Sequence, residues 1–154
     1  MADAVRGRVS RRGAAAVAVA AVVAIGVLVA RAQRPPEGVE PVAWDRAACA
    51  YCRMHVGDPR FAAQLQTEEG DVLNFDDPGC IMRYANERHP RVRAMYFHDA
   101  REEDLWRPRE QTGFVPGATT PMGYGLSATR RGAPGAISYE EAVARVTARG
   151  ERPR

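Results

Sequence analysis

The sequence predicts an α+β fold: two tandem β-β-α units with mainly antiparallel strands, preceded by an N-terminal hydrophobic helix. Three observations carry this expectation. Residues 13–30 form an uncharged apolar run. Short extended patterns are followed, in each half of the remaining chain, by a helical pattern with its own N-cap signal, near Asp77 and near Ser138. The turns between the extended patterns are short, and short turns join antiparallel strands rather than parallel ones.

The elements follow in order. Arg6, Arg8, Arg11 and Arg12 precede the apolar run Gly13–Ala30, and Arg31 and Arg34-Pro35-Pro36 follow it. A basic flank, an apolar segment and a polar exit describe a signal sequence or a signal anchor, with the following domain outside the membrane. Eighteen apolar residues are near the lower limit for a span. Ala30-Arg31-Ala32 also has the small residues of a cleavage site, so the leader covers residues 1–32 and is either retained or removed after Ala32. Ser10-Arg11-Arg12 resembles a twin-arginine signal but lacks the bulky apolar residues expected after the pair. Residues 33–41 hold three prolines and read as an extended linker. The folded domain is expected over residues 42–150.

Within that domain Phe61–Thr67 and Val72–Phe75 read as strands, with Glu68-Glu69-Gly70-Asp71 as the hairpin turn. Asp76-Asp77-Pro78 opens a helix running to Arg88, because Asp caps a helix and Pro fits its first position. Ile81, Met82, Tyr84 and Ala85 give it an apolar side, and His89-Pro90 ends it. Arg93–His98 reads as a strand, Asp99–Asp104 as a polar turn, and Leu105-Trp106 as the start of a further short strand or loop. Phe114–Ser127 is extended and interrupted by Gly and Pro. Ser138 and Glu141 form a capping box for a last helix that buries Tyr139, Ala142, Val143 and Val146 and stops at Gly150.

Composition excludes one class of function. All 22 basic residues are arginine, five of them in residues 1–32. With one of the 19 acids also in that leader, the rest of the chain carries 17 arginines against 18 acids. Such a domain has no basic field for nucleic acid.

The chemistry concentrates at Cys49-Ala50-Tyr51-Cys52-Arg53-Met54, where three sulfur side chains occupy six residues. Thiolate and thioether are soft donors and select Cu(I) over hard cations. A Cys-x-x-Cys pair alone also fits half of a zinc site, a redox pair or a structural disulfide with Cys80, the third cysteine. Zinc needs four ligands, and His55, His89 and His98 are scattered. A redox pair usually opens a helix after a strand, and no strand precedes this one. Met54 lies between polar neighbours, and Met122 lies in the Pro/Gly-rich segment Thr120-Pro121-Met122-Gly123-Tyr124-Gly125; both therefore read as exposed for a purpose. Met82 and Met95 lie in apolar periodic stretches and read as core. Asp76-Asp77 reads as a helix cap rather than an acid–base pair.

Cys49-x-x-Cys52-x-Met54, Phe61-Ala62-Ala63-Gln64, Phe75-Asp76-Asp77-Pro78-Gly79-Cys80 and Thr120-Pro121-Met122-Gly123-Tyr124-Gly125, in that order, resemble the NosL family, whose named members are accessory proteins for nitrous oxide reductase. The resemblance covers residues 42–147. It implies a membrane-attached or exported Cu(I) chaperone, not an enzyme, with two similar β-β-α units and with Cys52, Met54 and Met122 as metal ligands. Cys49 would be an additional ligand or a redox partner, and Cys80 matches a family position without an assigned role. The implied partner is a copper-receiving enzyme or assembly protein, with nitrous oxide reductase or a haem-copper oxidase as receivers and the membrane contacted through the N-terminal segment. The competing expectation is a thiol–disulfide oxidoreductase using Cys49 and Cys52 outside the cytoplasm.

Overall fold

The computed structural model describes the backbone of residues 11–32 and 38–150. The basic residues Arg6 and Arg8 and the first half of the linker, 33–37, lie outside the described residues. The chain divides into two units, Met1–Pro35 and Pro36–Arg154.

The first unit contains helix α1, Arg11–Ala32. Ala and Leu favour the helix, and the apolar residues lie on every side of it rather than along one stripe. Val17, Ile25 and Leu28 are all exposed. Among the described residues, no helix is long and apolar enough to cross a membrane.

The second unit is the α+β domain. Its elements are β1 (Ala63–Thr67), β2 (Val72–Phe75), α2 (Pro78–Arg88), β3 (Val92–His98), β4 (Trp106–Pro108), β5 (Thr112–Pro116), β6 (Leu126–Arg130) and α3 (Tyr139–Gly150). Two strand-strand-helix units are present, β1-β2-α2 and β5-β6-α3, and the β3–β4 pair stands between them. All pairings are antiparallel. The first four strands form one sheet in the order β2-β1-β3-β4, and β5 and β6 form a second. The loops after β1, β3 and β5 are too short for a parallel crossover.

Strand β1 lies between β2 and β3 and is buried along its whole length. This explains its weak alternation. Leu65 faces the apolar core, while Gln64 and Gln66 point to the other face and are buried there too. Backbone groups of residues 38–40 cover them: Gln64 exchanges hydrogen bonds with the Glu40 N–H and C=O, each 2.9 Å, and Gln66 donates to the Gly38 C=O at 2.7 Å. The second half of the linker is thus fastened across the sheet.

Phe75, Ile81, Met82, Phe97, Phe114, Leu126 and Val146 fill the core. Phe97 meets Phe114 edge to face, with centroids 4.9 Å apart. Met82 and Met95 are buried as expected. Helix α3 begins with the expected capping box: Ser138 Oγ accepts from the Glu141 N–H at 3.2 Å and Glu141 accepts from the Ser138 N–H at 2.8 Å. Helix α2 ends at His89, whose φ of 47° is left-handed and closes the helix before Pro90.

Candidate metal centre

The Cys49–Met54 segment is a closed turn. Ala48 and His55 form an antiparallel bridge. Inside it the Cys49 N–H donates to the Met54 C=O at 2.7 Å, and the Arg53 N–H donates to the Cys49 C=O at 3.0 Å. Arg53 takes a left-handed φ of 68° to complete the turn. The Ala50 N–H donates to the Asn74 C=O at 2.9 Å and ties the loop to β2. Tyr51 reaches across to α2, where its hydroxyl lies 3.1 Å from both Glu87 and Arg83.

Cys80 arrives from α2. Asp77 caps that helix, accepting from the Gly79 N–H at 2.8 Å, and Pro78 fills the first position as expected. Cys80 is therefore the third helical residue. Asp76 ties the helix start to the other loop by accepting from the Gly57 N–H at 3.2 Å.

These two pieces bring Cys49, Cys52 and Cys80 together, with all three Sγ atoms within 4.8 Å of one another. The three thiols are free. Cys49 and Cys80 are fully buried, and Cys52 is half-buried. Two thiolates on one ion, each about 2.3 Å away, are at most about 4.6 Å apart. The cluster is thus within a few tenths of an ångström of a metal-binding arrangement.

The site is electrostatically uneven. The Cys80 thiol beside it is the largest influence on Cys49 and favours its thiolate. Burial opposes it, but backbone N–H groups of Cys52, Asp76 and Tyr51 add to it, and the Cys49 thiol falls to about 5. Cys80, buried beside Cys49, is pushed far up. Burial also raises Cys52, against the Met54 N–H that faces it. Of the three, Cys49 is thus the thiol most favoured as a thiolate, and Cys52 and Cys80 are held toward the protonated form.

The methionines lie at different depths. Met54 follows Cys52 by two residues, and its side chain is 53% exposed. Met122 is half-buried and packs against the core cluster that contains Cys49 and Cys80. Its loop is held from several sides. The Met122 N–H donates to Asp77 Oδ2 at 3.0 Å, the Gly123 N–H to the Thr120 C=O at 3.0 Å, and the Gly125 N–H to Thr120 Oγ1 at 3.2 Å. Arg149 of α3 donates to the Gly123 C=O at 2.6 Å. His55 is exposed.

Of the residues predicted from sequence, the structure brings Cys49 and Cys52 together, leaves Met54 on the surface beside them, and sets Met122 on a loop fastened to α2. It adds Cys80 as a full member of the cluster. The signal for Cys80 was present: a cysteine at the third position of a capped helix. The second task of Asp77, receiving the Met122 N–H, left no local trace because the two residues are 45 apart. A cleft of about 470 Å³ lined by Asp58, Arg60, His98 and residues 99–104 shares no lining residue with the thiols. Its carboxylates are largely paired: Asp58 with Arg60, and Asp99 and Glu102 with Arg107.

No protein-family model matches the sequence, and no curated protein matches it. Among solved structures, the fold is similar to that of the copper chaperone NosL from Shewanella denitrificans, with a TM-score of 0.50 and 19% identity over 74% of this chain and 89% of that one. At that identity the likeness establishes a shared α+β architecture.

Proposed function

We propose that this protein is a Cu(I)-binding chaperone that carries copper to a receiving enzyme or assembly protein. The observation that carries the reading is the three-thiol cluster, sealed by Cys49 and Cys80 and open to solvent through Cys52. Sulfur donors select soft ions. No His, Asp or Glu joins the three cysteines among the described residues, whereas structural zinc takes four ligands. Cu(I) is satisfied by two or three. The fold shared with a copper chaperone supports the same reading, as does the resemblance of the four sequence segments to the NosL family. In this reading Cys52 is the ligand through which copper enters and leaves, Cys49 supplies a buried thiolate, and Met54 and Met122 are thioethers that meet the ion at the rim and from the docked loop. Nitrous oxide reductase is one candidate receiver.

The placement outside the cytoplasm, by membrane attachment or export, is supported by the sequence of residues 1–32: the arginine flank and the uncharged run Gly13–Ala30. Fractionation of cells expressing the full chain, with N-terminal sequencing of the product, tests it.

The competing reading as a thiol–disulfide oxidoreductase meets a geometric objection. Cys49, the thiol whose surroundings favour ionisation, has no exposed surface, while burial raises the accessible Cys52. A nucleophile must be both ionised and accessible. Titration of the reduced full-length protein with Cu(I) against a chromophoric chelator, beside Cys52→Ser, decides between them. The chaperone reading requires one-to-one binding that the variant loses. Unchanged binding in the variant, or binding too weak to compete with the chelator, would sink it.

A further inference from the structure

Asp77 does more than cap a helix. Its side chain is fully buried, and its two oxygens serve two different parts of the chain. One accepts from the Gly79 N–H at the start of α2, at 2.8 Å; the other accepts from the Met122 N–H, at 3.0 Å. The Thr120 hydroxyl braces the same loop by accepting from the Gly125 N–H, at 3.2 Å. A cap needs only the first of these contacts.

A carboxylate is an acceptor at both oxygens, so only Asp fits this double task among residues of its size. Asn would keep the cap but turn an N–H toward the Met122 N–H. The cap residue of the helix that presents Cys80 is thus also the clamp on the loop that presents Met122. Gly79 supplies the clearance: the Tyr124 side chain lies where a Cβ would stand. Burying a carboxylate is unfavourable, and here it is met by hydrogen bonds that join the start of α2 to the Met122 loop.

The geometry points to Asp77 as the positioning residue that sets Met122 against the thiol cluster. This rests on the Cu(I)-chaperone reading and specifies how its thioether is supplied. Asp77 touches no metal in this scheme. It fixes the backbone of Met122, so the thioether is presented rather than recruited from a free loop. Outer partners that orient a ligand typically matter about 10–100-fold in metal affinity.

The test is a double-mutant cycle on the reduced full-length protein in mild detergent, read by Cu(I) competition with a chelator: Asp77→Asn, Met122→Leu and the pair, with Cys52→Ser alongside. Asp77→Asn should weaken Cu(I) by about 10-fold. In the Met122→Leu background it should weaken Cu(I) no further, because its effect passes through the thioether. An equal loss in both backgrounds, or no loss in the parent, would overturn the proposal and leave Asp77 a structural cap. Should Asp77→Asn fail to fold, Thr120→Val loosens the Met122 loop at the Gly125 N–H with the cap retained and enters the same cycle. The two readings fail separately. Loss on Cys52→Ser with none on Met122→Leu would retain the chaperone and overturn the positioning role; a parent that does not bind Cu(I) would overturn both.

Discussion

Gly79→Ala probes the join between α2 and the Met122 loop most directly. Gly79 is the second residue of α2, between the cap Asp77 and Cys80. A Cβ built there falls 2.1 Å from Tyr124 Cγ, 2.3 Å from its Cδ2 and 2.5 Å from its Cβ. Carbon atoms rest at about 3.5–4.0 Å, so the overlap exceeds an ångström. Rotation of the Tyr124 ring does not relieve it, because the Tyr124 Cβ is itself in the way. Either the loop or the first helical turn must move, and Asp77 is bonded to both. Helix propensity favours Ala over Gly by about 1 kcal/mol. Against this stand an overpacking cost of about 1–3 kcal/mol and the loosening of two buried hydrogen bonds at about 1 kcal/mol each. The balance is a net loss of about 2–4 kcal/mol, or about 10–20 °C in Tm for a domain of this size. Thermal unfolding by circular dichroism measures it, and Cu(I) competition on the same samples should show weaker binding. Adding Tyr124→Ala should recover only part of the loss, since its Cβ remains. A Gly79→Ala variant as stable as the parent, with unchanged copper affinity, would refute the packing argument.

Other perturbations have equally definite outcomes. Arg53→Gly relieves a left-handed φ of 68° and should raise stability by about 0.5–1 kcal/mol in urea unfolding, net of the greater freedom of Gly in the unfolded chain; a loss would show that the Arg53 side chain matters more than its backbone. Brief alkylation of the native reduced protein should add one label, at Cys52, and three after unfolding, because Cys49 and Cys80 have no exposed surface; three fast additions would contradict the sealed cluster. Asp99 is buried, which works against its ionisation, but Arg107 at 2.6 Å and the Arg101 and Glu102 N–H groups hold its carboxyl below the ordinary range. The stability it contributes is present above the unfolded carboxylate pKa and is lost as pH falls through the depressed folded value. Arg107→Leu should therefore cost about 3 kcal/mol at pH 7 and progressively less on acidification, as the difference in urea midpoints between pH 7 and pH 3 would show; a cost independent of pH would mean that Arg107 acts through packing alone.

Most of the scaffold was legible because its signals are local. The hairpin turn at residues 68–71, the Asp-Asp-Pro helix start and the Ser138–Glu141 box each require only neighbours along the chain, and each appears where expected. The β1 pattern was read as weak alternation because its polar partners, Gly38 and Glu40, come from a segment that looked like linker. The site divides the same way. Cys49 and Cys52 are fixed by one turn and were visible as a pair. Cys80 joins them only through packing of α2 against that turn, with Tyr51, Arg83 and Glu87 across the contact. No spacing rule connects a residue at 49 to one at 80. The depth of Met122 was hidden likewise, because Pro and Gly around a methionine suggest exposure and give no hint of a buried carboxylate 45 residues away.

The asymmetry of the three thiols bears on how such a centre can both capture and release copper. Three exposed thiolates would repel one another and oxidise readily, and three buried thiols would admit no ion. Here Cys49, away from solvent, is the thiol most favoured as a thiolate, by the Cys80 thiol beside it and by backbone N–H groups. On the proposed chaperone reading an ion would form its first bond at Cys52, displacing that thiol's proton, and would then move inward to Cys49 and Cys80. Release would reverse the order, with a receiver's thiolate or thioether replacing Cys52 first, because Cys52 alone of the three is accessible. Proton release on binding follows directly. Burial holds the Cys52 thiol above its ordinary value, and its proton must leave when its sulfur becomes a thiolate ligand. Copper titration in weakly buffered solution should therefore liberate at least about one proton per ion. A yield near zero would mean that the ion stays on Cys49 and the thioethers alone.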